Sequence, residues 1–191
     1  MNKFSSAGQM IFFREWLQVE KKDFRILAML ADKGIFSGNL SSLCDYFSLS
    51  RQSSHRRNLR ESIQKLKEEG FIECEVRGRT YTLKIVPKGE KIEIPRRWVI
   101  PIIEHRYHSQ SVSWESVLKV FIWIFENRKP IITNAEIASE LHISVDAIIY
   151  AKNVLQREMG AILRESETIE LPDGSKRNIG QRLSAIAEWS E

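Results

Sequence analysis

Between Arg51 and Arg60 the chain carries four arginines and one histidine, and no acid. The stretch holds Arg51, Gln52, His55, Arg56, Arg57, Asn58 and Arg60. These residue types suit nucleic acid. A guanidinium fork matches guanine O6 and N7, and a Gln or Asn amide matches adenine N6 and N7. The remaining cations would meet phosphates and set the docking register. All seven lie off the Leu59, Ile63, Leu66 stripe, whose spacings of four and three mark the buried face of a helix. A solvated basic face is the ordinary alternative for a charge run. The later residues Glu61, Lys65, Lys67, Glu68 and Glu69 mix signs as such a face does, and the ten before them do not.

A second basic feature follows. Phe71–Val76 and Thr80–Val86 alternate apolar and polar residues, the pattern of a one-sided hairpin. Its turn is Arg77-Gly78-Arg79, which places two guanidiniums on a tight bend. Arginine at such a tip suits a narrow minor groove, where the potential is most negative.

A third candidate lies further on, from Glu136 to Tyr150. Ile137, Ala138, Leu141, Ile143 and Ile148 fall at helix-turn-helix spacing, Thr133 and Glu136 have capping-box spacing, and Ser144 can cap the next helix. Val145, Asp146, Ile149, Tyr150 and Asn153 are expected to face outward, with Lys152 and Arg157 beyond them. Tyr150 and Asn153 are candidate DNA contacts, as are Lys176 and Arg177 on a second hairpin. The exposed Ile149 and acidic Asp146 fit a protein interface at least as well, so a homodimer or a protein partner is the competing use of this part.

Enzymatic readings find little support. His105 and His108 are close in sequence, but no neighbouring Cys or His completes a zinc set. Tyr81 and Lys84 have the spacing of a reductase pair but fall on an expected strand, and no Gly-rich nucleotide fingerprint accompanies them. No catalytic residue, metal site, cofactor or small-molecule ligand is expected, and the protein is read as non-enzymatic.

The elements that must position these residues can be read in order. The chain has 191 residues, 42% hydrophobic and 28% charged, with a net charge of +4, which fits a soluble globular class of one or two domains. Residues 9 to 20 are expected to form a short strand or arm that joins the first sheet. Asp23 to Gly34 reads as a first helix, Asn39 caps a second, and a third starts within Ser50 to Ser54, where serines can cap it, and ends at Gly70. Residues 87–113, with Pro87, Pro95 and Pro101 as helix breakers, read as an ordered connector. From Trp114 the same order recurs: helix, helix-turn-helix, Gly160, hairpin. Ile186 and Trp189 are expected to pack a short final helix. The expected fold is α+β, mainly α with small β-hairpin wings, organised as residues 1–86, 87–113 and 114–191. Cys44 and Cys74 read as reduced thiols, the apolar helix Val117–Phe125 is too short to span a bilayer, and a cytoplasmic location is expected.

Glu69-Gly70-Phe71-Ile72 after a striped helix, and Ile137-Ala138 through Ile148, resemble the winged helix-turn-helix superfamily. The tandem arrangement is similar to two-winged-helix plasmid and phage replication initiators and to some bacterial transcription regulators. That resemblance implies sequence-specific binding of double-stranded DNA, as a transcription regulator or at a replication origin.

Overall fold

The computed structural model describes residues 8–107, 113–127 and 131–186. The chain divides into two compact units, one over Met10–Glu93 and the other over Ile94–Glu191 with Met1–Gln9. Each is an α+β assembly with small sheets.

The first unit takes in all but the first residue of β1 (Gln9–Phe13), then a 3₁₀ turn (Arg14–Gln18), α1 (Lys21–Lys33), β2 (Ile35–Gly38), α2 (Leu40–Tyr46), α3 (Ser53–Glu68), β3 (Ile72–Arg77) and β4 (Thr80–Ile85). Helix α1 is the centre of its core: Phe24, Ile26, Leu27, Met29 and Leu30 are all buried. Gly34 stops it at φ +72°, donating its N–H to the Leu30 carbonyl at 2.7 Å. The chain then enters β2, which pairs antiparallel with β4, and β3 pairs antiparallel with the other side of β4, in the order β2-β4-β3. The β2 segment is only four residues long, too short to announce itself by alternation, and it was not expected.

Helix α3 buries Leu59, Ile63 and Leu66, the expected stripe. Gly70, at φ +75°, releases the chain into β3 while Phe71 N–H reaches back to the Leu66 carbonyl at 2.9 Å. One ion-pair cluster ties α3 to α1. Lys65 Nζ lies 2.9 Å from Glu20 Oε1 and 3.1 Å from Asp23 Oδ2, and Asp23 is fully buried.

Two expectations about the flanks need correction. The N-terminal strand does not join the β2-β4-β3 sheet. Strand β1 pairs with β5 (Lys91–Pro95). The reason is matching period-two faces: Met10 and Phe12 on β1, and Ile92 and Ile94 on β5, are buried, while Gln9, Ile11, Lys91 and Glu93 are exposed. Pro101 does not break a helix either; it lies inside α4 (Arg96–Glu104). A proline there removes one backbone donor, and burial of Trp98, Val99 and Ile102 on the same helix offsets that loss.

The second unit continues with α5 (Trp114–Glu126), α6 (Asn134–Leu141), α7 (Val145–Asn153), a π-helical turn (Val154–Glu158), β6 (Ile162–Glu170) and β7 (Lys176–Ala185). Helix α5 is buried from Glu115 to Ile124 and forms this unit's core. The capping box is present: Thr133 N–H donates to Glu136 Oε2 at 2.7 Å, and Glu136 N–H to Thr133 Oγ1 at 3.3 Å. His142 takes the left-handed conformation at φ +52°, and Ser144 Oγ accepts from Ala147 N–H at 3.2 Å. Ile186 N–H bonds the Ala161 carbonyl at 2.9 Å at the end of the β6–β7 hairpin, and Trp189 lies outside the described residues.

Lys65 donates to two carboxylates, which holds its ammonium far above the ordinary lysine range. The same contact holds Glu20 below its ordinary value of 4.5. A carboxyl depressed on folding contributes stability above its unfolded value and loses it as pH falls. Replacing Lys65→Met should lower unfolding stability at neutral pH by about 1–3 kcal/mol, because it strands buried Asp23. Chemical denaturation as a function of pH should also show a smaller loss below pH 4.5 in that variant than in the wild type.

Candidate nucleic-acid interface

The stretch from Tyr46 to Ser53 decides which cations are available. Ser48 sits at φ +53°, and Leu49 N–H donates to the Cys44 carbonyl at 2.8 Å, which folds the link back over the end of α2. Arg51 precedes α3. Its Nε and Nη2 reach Asp45 Oδ1 and Oδ2 at 2.8 and 2.6 Å, a bidentate fork that holds the Asp45 carboxyl below its usual range. His55 Nδ1 lies 3.0 Å from both the hydroxyl and the carbonyl oxygen of Ser50. Arg51 and His55 therefore clasp the link between α2 and α3 from its two ends.

Gln52 is the N-cap of α3, in place of the expected serine, and no side chain caps the first turn. No acid lies in that turn. The open N–H groups and the helix dipole thus add to the positive potential there.

The next residues line a groove. Arg60 lies four residues after Arg56 and three after Arg57, so the three arginines share one side of the helix. With Ser53 they form one wall of a cleft of about 580 Å³. Asn39, Leu40 and Ser41 from the start of α2 form a second wall, and Gly78, Arg79 and Tyr81 from the β3–β4 hairpin a third. Four guanidiniums line this cleft and no carboxylate does. Arg56, Arg60 and Arg79 form no ion pair among the described residues, while Arg57 Nε lies 3.8 Å from Glu61 Oε1.

The hairpin tip separates two arginines that are near neighbours in sequence. Arg77 registers with Thr80, leaving Gly78 and Arg79 as the two-residue turn, and Gly78 takes φ +61° as the first position of a II′ turn. Arg79 lines the cleft. Arg77 leans along its own strand to Glu75 at 3.4 Å. Asn58 is exposed and does not line the cleft. Ser41, Ser53 and Tyr81 were missed as lining residues. Ser53 had a visible signal, its place in the expected helix cap, whereas Tyr81 gave none until β4 was registered against β2 and β3.

The second unit presents a different surface. Val145 and Ile149 are 42% and 39% exposed on α7, beside exposed Asp146. Tyr150 and Asn153 are half-buried, and Asn153 Oδ1 accepts from Arg164 Nη1 at 3.3 Å. Lys152, expected outside, is fully buried, with its ammonium donating to Asn134 Oδ1 and Gln181 Oε1. The helix phase explains the correction: Lys152 follows Ala151 and lies four residues after Ile148, on the inward side of α7. Lys176 and Arg177 are exposed. Lys176 registers with Glu170, and Arg177 lines a second cleft of about 540 Å³ with Thr133, Asn134, Asn178 and Gln181. Arg182 pairs with Glu167 at 2.9 Å, so this hairpin mixes charge signs where the first groove does not.

The remaining chemical candidates are dispersed. Tyr81 and Lys84 are three apart on β4 and so point to opposite faces. His105 Nε2 lies 2.9 Å from Glu158 Oε2, and His108 lies outside the described residues. No group of three metal-ligating side chains occurs among the described residues. No helix among them is long and apolar enough to cross a membrane. Neither a known protein family nor a curated protein matches the chain.

Burial and the nearby Arg164 charge press the Lys152 ammonium down to about 8. Its ordinary value is 10.5, so between these two the unfolded chain binds more protons and stability rises with pH. Thermal unfolding from pH 7.5 to 10 should show this rise in the wild type and a flatter profile in Lys152→Met.

Proposed function

We propose that the protein binds double-stranded DNA in a sequence-dependent manner, as a transcription regulator or a replication-initiator-like protein. In this reading both units are winged helices, and the first carries the electrostatic contact. Helix α3 enters the major groove with Arg56, Arg57 and Arg60, while Arg79 on the hairpin approaches the neighbouring backbone or minor groove. The observation that carries the reading is the groove between α3 and the hairpin tip, lined by four guanidiniums and no acid. The order α1-β2-α2-α3-β3-β4, with a β2-β4-β3 sheet, supports it.

Arg51 and His55 take a different role from their neighbours. They hold the α2–α3 link and act as positioning residues, leaving base and phosphate contacts to the groove arginines. Gln52 and Asn58 remain exposed beside the groove and can contribute amide contacts.

Binding to a random duplex pool should show a log–log salt slope of roughly −5, from about six phosphate contacts. A flat salt dependence, or no binding to any duplex, overturns the reading. Selection of bound sequences should yield a consensus. Arg56→Ala or Arg60→Ala should then cost about 1–3 kcal/mol, with relaxed preference at one position if that residue reads a base. Arg51→Ala should lower affinity while leaving the salt slope unchanged, because its charge is already neutralised by Asp45.

A second reading concerns the other unit alone. The exposed Val145 and Ile149 favour α7 as a docking face for a protein partner rather than for phosphates. Ile149→Glu should leave duplex affinity within about twofold at physiological salt, because in this reading α7 makes no contact with phosphate and the added exposed charge is screened. A large loss in a filter-binding or anisotropy titration would instead put α7 on the DNA.

A further inference from the structure

The β6–β7 hairpin treats its two edges differently. On the β7 side, Gln181 exchanges both backbone bonds with Ile132, at 3.0 and 2.9 Å. A bulge lies just beyond: Glu167 registers with Gly180 and Thr168 with Asn178, so Ile179 has no cross-strand residue. That edge is therefore both covered and bent. Strand β6 runs through the same point without an extra residue, and its outer edge meets no strand among the described residues. It also contains neither lysine nor proline, two of the residues that commonly protect a free edge.

The direction of its free backbone groups follows from the register. Gln181 turns its N–H and C=O away from β6, toward Ile132. Gln181 is paired with Ser166, so the two form a non-hydrogen-bonded pair and Ser166 turns its own groups outward on the far side. By the period of two, Arg164 and Thr168 do the same. Leu163, Glu165, Glu167 and Ile169 then share one face of the strand. Leu163 is 55% exposed and Ile169 is 43% exposed.

We propose that this edge is a self-association surface, on which β6 pairs antiparallel with β6 of a second copy about a two-fold axis at Ser166. In that register Ser166 bonds Ser166 of the second copy, and Arg164 bonds Thr168. Leu163 of each chain lies against Ile169 of the other. Glu165 faces Glu167 of the second copy, and Arg182, which sits opposite Glu165 and 2.9 Å from Glu167, offsets the repulsion. Moving the axis to Glu165 or Glu167 would still set carboxylate against carboxylate at a closest pair, and would in addition set Leu163 against Glu167 or Ile169 against Glu165. The Ser166 register is the one in which both exposed apolar residues find each other. The surface is small, so the dimer is expected to be weak and concentration-dependent.

Sedimentation or light scattering of the full chain, from low micromolar to several hundred micromolar, tests this. The wild type should pass from monomer to dimer across that range. Ser166→Pro should remain monomeric with an unchanged far-ultraviolet circular dichroism spectrum, because the lost N–H faces out of the hairpin. Leu163→Glu and Ile169→Lys should each abolish the dimer, and the two together should restore it, since the new charges meet across the axis. A wild type that stays monomeric, or a folded Ser166→Pro that dimerises as the wild type does, overturns the proposal. If Ser166→Pro unfolds, the charge pair decides: failure of the double variant to regain the dimer overturns the register.

Discussion

The burial of one helix face governs the basic groove. Leu59, Ile63 and Leu66 anchor α3 in the core, and Lys65 ties the same helix to Glu20 and to the buried carboxylate of Asp23. Burying the stripe costs nothing in polar groups and contributes about 1.5–3 kcal/mol per large apolar side chain. Once that face is inward, the helix period leaves Arg56, Arg57 and Arg60 outward, toward the hairpin. Their repulsion is tolerable because they remain in water, where like charges interact weakly.

Around that constraint, the link between α2 and α3 works as a clasp. Two side chains that look like DNA contacts by type, Arg51 and His55, fold onto Asp45 and Ser50. An exposed ion pair contributes little stability in general, but the bidentate fork restricts the geometry of the link. The result is a long inter-helix segment that is nevertheless closed by hydrogen bonds, with α3 starting at Ser53 and its first turn open.

The two units share an order of helices and a hairpin yet differ in electrostatics. In the first, the groove arginines have few internal partners. In the second, three cations are engaged internally while Lys176 and Arg177 stay exposed: Arg164 bonds Asn153, Arg182 pairs with Glu167, and Lys152 is buried among amides. What remains outside α7 is largely apolar. The division of labour proposed for the two halves rests on this difference in how each unit spends its charges.

Much of this architecture was written in local patterns. The α3 stripe, the Gly34 and Gly70 stops, the Asn39 and Ser144 caps and the Thr133–Glu136 box are short-range signals, each set by interactions within a few residues. They determined the helices other than α4, the two hairpins and the outward face of α3 from sequence alone. Other features depended on residues far apart in the chain. Strand β1 found β5 about 80 residues away, β2 existed only because β4 offered it a partner, and Arg79 rather than Arg77 joined the groove because cross-strand register fixed the turn. Lys152 follows the inward phase of α7, but its amide partners Asn134 and Gln181 lie 18 and 29 residues away, on α6 and β7. Residue types and periods determine which cations can be presented; only tertiary pairing, through register and competing hydrogen-bond partners, decided which of them remain free.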